Sequence, residues 1–134
     1  MEVKLSQIQP YLLSALRIAL GLVILSFGIG KIFHFHPGPF SPPPGSLDWI
    51  AGVIELTAGG LFLVGLLTRI SAFLLSGQMA FAYLLVHLPV SFYPTENDGY
   101  AAAVFSFVFL YFVAAGPGPL SIDKLTRPAL RKSM

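Results

Sequence analysis

Four long apolar stretches follow one another along the chain, from about Tyr11 to Phe33, Leu47 to Leu67, Ile70 to Leu88 and Tyr100 to Ala115. Each approaches the roughly 17 to 25 residues that a helix needs to cross hydrocarbon. Backbone groups in lipid must be satisfied within their own segment, so each stretch is predicted to be a transmembrane helix. The fourth is the shortest. Polar or helix-breaking runs lie between them: Pro37-Gly38-Pro39-Phe40-Ser41-Pro42-Pro43-Pro44-Gly45, Leu67-Thr68-Arg69, and Thr95-Glu96-Asn97-Asp98-Gly99. Prolines remove donors and fix the backbone, so the first is a loop. The second is short enough to force a tight antiparallel turn. Gly116-Pro117-Gly118-Pro119 breaks the fourth helix and releases a short tail. The first stretch is expected to stay as a helix rather than be a cleaved signal, because Arg17 interrupts its apolar run early and no small-x-small cleavage pattern follows.

Composition strengthens this picture. Of 134 residues, 55% are hydrophobic and 10% charged, whereas a soluble domain carries about 25% charged residues. A single soluble core of this size cannot absorb the excess, which must face lipid. The expected fold is a single all-α domain, an integral membrane four-helix bundle. Formal net charge is only +2, too small a field for nucleic acid. There is no cysteine, which excludes disulfides, thiolate metal sites, iron–sulfur ligation and covalent haem attachment.

Threading four helices in order puts Lys4, Arg69, Lys124, Arg127, Arg131 and Lys132 on one side, with Arg17 near it. Lys31, Asp48, Glu96 and Asp98 fall on the other. The positive-inside rule makes the first side cytoplasmic, with both termini inside and the proline loop outside. The location expected is the inner (cytoplasmic) membrane, and the tail cations read as a topology signal in contact with anionic lipid.

Polar side chains inside the apolar slab are the informative ones, since a charge at mid-bilayer costs at least about 2.5 to 3.5 kcal/mol. Glu55 stands out. Gly52, Glu55 and Gly59 share one helix face, and small residues on that face admit a close neighbour, so the carboxylate is expected to point into the bundle. Lys31, near the outer end of the first helix, has a stem long enough to reach Glu55. Two readings follow: a structural ion pair, or a ligand or proton site. Gln78, midway along the third helix, needs a partner in lipid and is expected to make an interhelical hydrogen bond. Arg17 is shallow enough to snorkel to the cytoplasmic headgroups, or it turns inward along the small-residue face of Gly21 and Gly28.

Other chemistry is thinner. His34, His36 and His87 all fall toward the outer side, where a three-histidine metal site competes with plain interfacial histidines, the favoured reading. No metal site is expected. Haem b between histidines is disfavoured because no second histidine lies deep in a helix facing His87. Trp49, Phe92, Tyr93 and Tyr100 form an outer aromatic belt, on which a quinone headgroup would also stack. No P-loop, dinucleotide fingerprint or Ser/His/Asp arrangement is present.

The ordered set Arg17-x-x-x-Gly21-Leu22, Gly28-x-x-Lys31, Glu55-Leu56-x-x-Gly59-Gly60, Gly65-Leu66-x-Thr68-Arg69, Phe92-x-Pro94, Asn97-x-Gly99 and Gly116-Pro117-Gly118-x-x-Ser121-Ile122-Asp123 resembles the DoxX family of bacterial and archaeal four-helix membrane proteins. The resemblance covers nearly the whole chain. It implies redox work at a membrane: relatives resemble the small membrane subunit of thiosulfate:quinone oxidoreductase, and others are linked to quinone or oxidative-stress resistance. The family's usual Asn-Gly-Gly-Glu before the fourth helix reads Asn97-Asp98-Gly99-Tyr100 here. Asp98 is the residue left to replace the glutamate.

Two functional expectations result. In one, the chain is a quinone-linked redox subunit whose outer-half cavity, drawn from Lys31, Glu55, Gln78, His87, Asn97 and Asp98, binds quinone and moves its protons, with Arg17 a further candidate. In the other, it is a non-catalytic accessory subunit of a larger membrane complex or a homo-oligomer. No intrinsic cofactor is expected, so electrons would need a partner's carrier. A transporter is disfavoured, because four short helices rarely enclose an alternating-access path.

Overall fold

A computed structural model of the chain describes residues 2–35 and 42–126. Among the described residues the architecture is all-α, without a strand. Helix α1 is Glu2–Phe33, α2 Leu47–Val64, α3 Thr68–Ala82 and α4 Tyr100–Ala115. A π-helical turn, Tyr83–His87, extends α3, and residues 122–126 add a short fifth helix. Three segments are long and apolar enough to cross a membrane: Lys4–Phe33, Leu47–Val64 and Thr68–His87. Helix α4 is apolar but has only 16 residues, about 24 Å.

Helix α1 starts at Glu2 instead of near Tyr11, and it runs through Pro10. Proline deletes one helical hydrogen bond, but its fixed φ is itself helical, so it need not end the helix. At 32 residues, α1 is about 48 Å long, well beyond the ~30 Å hydrocarbon slab. The surplus is the polar stretch Lys4–Gln9, which is exposed.

The α2–α3 junction also differs from the sequence expectation of Leu67 and Ile70. Gly65 adopts φ 73°, and Leu66 N–H donates to Leu61 O at 2.9 Å. This left-handed closure ends α2 three residues earlier than hydrophobicity alone suggests, because glycine reaches positive φ without a Cβ penalty. Helix α3 then begins without a capping side chain from its own N-cap, Leu67. Asp123, beyond α4, supplies the cap: its two carboxylate oxygens accept from Leu67 N and Thr68 N, each at 2.9 Å.

Helix α1 packs on α2, α2 on α3, and α3 on α4. The α1–α2 approach is set by glycines. A Cβ on Gly28 would lie 2.8 Å from Leu56 N, and one on Gly52 would lie 2.9 Å from Lys31 Cβ. Backbones this close admit no larger side chain at the seam. The resulting antiparallel register seats Lys31 opposite the turn that carries Glu55. The apolar core contains Leu20, Ile24, Ala58, Phe62, Ala72, Leu75, Met79, Phe109 and Phe112. Phe62 meets Phe109 and Phe112 edge-on, both at 5.0 Å between ring centres, a favourable arrangement of ring quadrupoles. The outer surface is also apolar, with Phe73, Phe81, Phe107 and Leu85 all largely exposed. That inversion suits lipid and not water.

A buried polar cluster on an apolar cavity

Helices α1, α2 and α3 each contribute one polar side chain to a single cluster. Lys31 Nζ donates to Glu55 Oε1 at 2.9 Å. Gln78 Nε2 donates to the same oxygen at 2.8 Å. Glu55 is 2% exposed. The ion pair and the interhelical hydrogen bond expected of these three residues are thus one network, with the carboxylate at its centre.

The network lies on a cavity of about 720 Å³ whose walls include Ile24, Phe27, Ala51, Phe73, Met79 and Phe105. Lys31, Glu55, Gln78, His87 and Asp98 all line it. A mostly apolar wall with a few convergent polar groups is the ordinary make-up of a small-molecule site. Two buried oxygens of this cluster have no hydrogen-bond partner among the described residues, Glu55 Oε2 and Gln78 Oε1. Buried acceptors are nearly always satisfied, so each such exception needs an explanation.

The π-helical turn and the loop after it form part of the cavity wall. Leu88 N–H donates to Tyr83 O at 2.8 Å, and the wider turn carries His87 to the cavity wall. His87 Nδ1 lies 2.9 Å from Asn97 O. A carbonyl only accepts, so Nδ1 bears the proton. Asn97 is buried and spent on its own loop: its amide donates to Ser91 O at 2.7 Å and to the Tyr83 hydroxyl at 3.3 Å, and its Oδ1 accepts from Gly99 N at 2.8 Å. Asn97 therefore positions the loop and does not line the cavity. Asp98 takes φ 57°, a conformation aspartate tolerates better than most residues. Tyr100, where the sequence resemblance led to the expectation of a glutamate, is exposed and does not line the cavity.

Arg17 does not snorkel. It is 1% exposed, and its guanidinium donates through Nη1 to Pro117 O and through Nη2 to Leu120 O at 2.6 Å. Ser14 assists, its hydroxyl accepting from Leu120 N at 3.1 Å. This clamp sits midway along α1, about 21 Å from Lys31 along the axis, and Arg17 does not line the Glu55 cavity. The outward pull toward headgroups loses to a set of backbone carbonyls that the chain folds back to present. Arg69 adds a second anchor, donating to Val113 O and Ala114 O at 2.7 and 2.8 Å. Sequence reasoning missed this use of Arg69, Ser14 and Asp123. The only signal was the Gly-Pro-Gly-Pro run followed by Ser121 and Asp123.

The aromatic belt likewise lies outside this cavity. Phe92, Tyr93 and Tyr100 are exposed, and neither they nor Trp49 line the cavity. The rings that do are Phe27, Phe73, Phe81 and Phe105, which hydrophobicity cannot distinguish from lipid-facing ones. Asp48 also lines it and was not singled out. His34 is exposed with φ 54°, and His36 lies outside the described residues. No group of three metal-binding side chains occurs among the described residues.

A family model, DoxX, matches residues 12–88, a span that contains Lys31, Glu55, Gln78 and His87. The chain is 36% identical over 128 residues to an uncharacterized protein of Haemophilus influenzae, covering 89% of this chain and 93% of that protein. An uncharacterized membrane protein of Mycobacterium tuberculosis is 34% identical over 128 residues, covering 81% of this chain and 77% of the relative. No solved structure matches.

Proposed function

This chain belongs to the DoxX family of membrane proteins, and on that premise we propose that it is a quinone-binding redox subunit of the cytoplasmic membrane. The proposed topology has four spans, with α4 as the shortest and both termini cytoplasmic. Lys4, Arg69 and Lys124 at one end, against Asp48, Glu96 and Asp98 at the other, support that orientation.

The observation that carries the reading is the Lys31–Glu55–Gln78 network on an apolar cavity, with acceptor capacity still unused. A quinone headgroup in that cavity places a ring oxygen beside Glu55 and Lys31. The carboxylate takes a proton from a ring hydroxyl or returns it, and the ammonium holds the carboxylate and donates to a ring oxygen. The isoprenoid tail leaves along Phe73, Phe81 and Leu85, which are both cavity-lining and exposed toward lipid. With no cysteine for an iron–sulfur cluster, electrons reach or leave the quinone through another subunit's carrier.

A non-catalytic accessory role is the second reading, favoured by the closed 2.9 Å ion pair, which also serves as a lock between α1 and α2. The two unused oxygens favour the first. Purification from native membranes, followed by mass spectrometry of proteins and lipids, tests both. Quinone retained in stoichiometric amount, together with a redox partner, is the expected result. Recovery of a partner without quinone supports the accessory role, and recovery of neither overturns both.

A further inference from the structure

We propose that the cavity selects the reduced, hydroxyl-bearing form of its ligand, the quinol, over the oxidised quinone. This rests on the quinone reading above and adds to it the oxidation state that the site recognises.

The inference comes from counting donors and acceptors. Glu55 Oε1 accepts from both Lys31 Nζ and Gln78 Nε2. A carboxylate oxygen only accepts, so the Gln78 amide must present its NH2 to Glu55, and its carbonyl oxygen is turned elsewhere. The unpaired atoms of these two cavity-lining side chains are then Glu55 Oε2 and Gln78 Oε1, both buried and both without a partner among the described residues. Both are acceptors. Residues from two different helices, α2 and α3, thus each carry an unpaired acceptor, and both residues line one cavity.

A quinone carries carbonyl oxygens, which also only accept, and would meet these two atoms with lone pairs facing lone pairs. A quinol carries two hydroxyls, each able to donate. Hydroxyl donation to an ionised carboxylate is among the stronger protein hydrogen bonds. A site built to bond a hydroxyl discriminates steeply against the analogue lacking it, because the site's own buried groups are then left unpaired. The remaining N–H groups of Lys31 suit either form, since quinol oxygens also accept, and so do not offset the preference.

The test uses the full chain in lipid nanodiscs under anaerobic conditions, with three probes of one shape: a decyl-tailed benzoquinone, its quinol, and the quinol's di-O-methyl ether. The quinol is expected to bind at least about tenfold more tightly than either of the others. Tenfold tighter quinol binding would raise the midpoint potential of the bound couple by about 30 mV. Glu55→Gln should reverse the order. Lys31 and Gln78 would hold the new amide by its carbonyl, so its NH2 would replace Oε2 as a donor and match the quinone. Gln78→Leu removes one acceptor and should reduce the preference without reversing it. If Glu55→Gln does not fold, Gln78→Leu and the ether on the unaltered chain still decide the matter. Equal affinity for all three probes overturns the selectivity and leaves quinone binding standing. Binding of none overturns both readings.

Discussion

Replacing Lys31 by methionine keeps the stem that packs against Gly52 and removes the ammonium that neutralises Glu55. The Glu55 side chain is 3% exposed, against 21% for Lys31, so the two halves of the pair are not equivalent. After Lys31→Met the carboxylate retains only the Gln78 amide, and breaking a buried pair from one side costs about 3 to 5 kcal/mol. After Glu55→Leu the lysine can straighten toward the outer boundary. The chief loss is then the Gln78 amide left unpaired, which costs about 1 to 3 kcal/mol. Lys31→Met should therefore be the more damaging single change. Converting all three residues to apolar ones of similar volume should recover most of the loss, because a buried ionic network is often replaceable without penalty. Equilibrium unfolding in mixed micelles, followed by circular dichroism, measures all of these. The reasoning fails if Glu55→Leu costs more than Lys31→Met, or if the triple variant is no more stable than Lys31→Met. A stable triple variant that no longer binds any quinone probe would separate the structural from the functional role of the cluster.

Arg17→Lys should cost about 2 to 4 kcal/mol despite keeping the charge, since an ammonium cannot reach Pro117 O and Leu120 O as a fork does; limited proteolysis at residues 116–126 should accelerate, and unchanged protection would contradict the clamp. Gly28→Leu should force α1 away from Leu56 and destabilise by about 1 to 3 kcal/mol or more, weakening the Lys31–Glu55 contact with it; a fully stable variant would show that the seam has slack. Because the chain lacks cysteine, single cysteines at Gln7 and Thr95 report topology cleanly. They should label from opposite faces of the membrane, Gln7 from the cytoplasmic one, and labelling from the same face would rule out the threading.

Hydrophobic block length by itself determined that the chain is helical and lives in lipid, because a bilayer leaves the backbone no other economical option over such spans. It also located α4 at Tyr100–Ala115, the end of α1 at Phe33 and the start of α2 at Leu47 correctly, since the proline loop and the Thr95–Gly99 run are local breakers. The Lys31–Glu55 pair was legible too, and so was the need of Gln78 for an interhelical partner, because a charge and an amide inside an apolar slab must be satisfied; that the partner of Gln78 is Glu55 itself came from the packing. Where long-range contacts compete with local tendency, the sequence was silent. Helix α2 stops at Val64 because Gly65 turns left-handed and Asp123, far along the chain, caps the next helix. Arg17 faces inward because the segment after α4 brings two carbonyls to it. The cavity itself, its four aromatic walls and its two unused oxygens depend on how four helices stack, and neither hydrophobicity nor spacing encodes which face of an all-apolar helix meets its neighbour and which meets lipid.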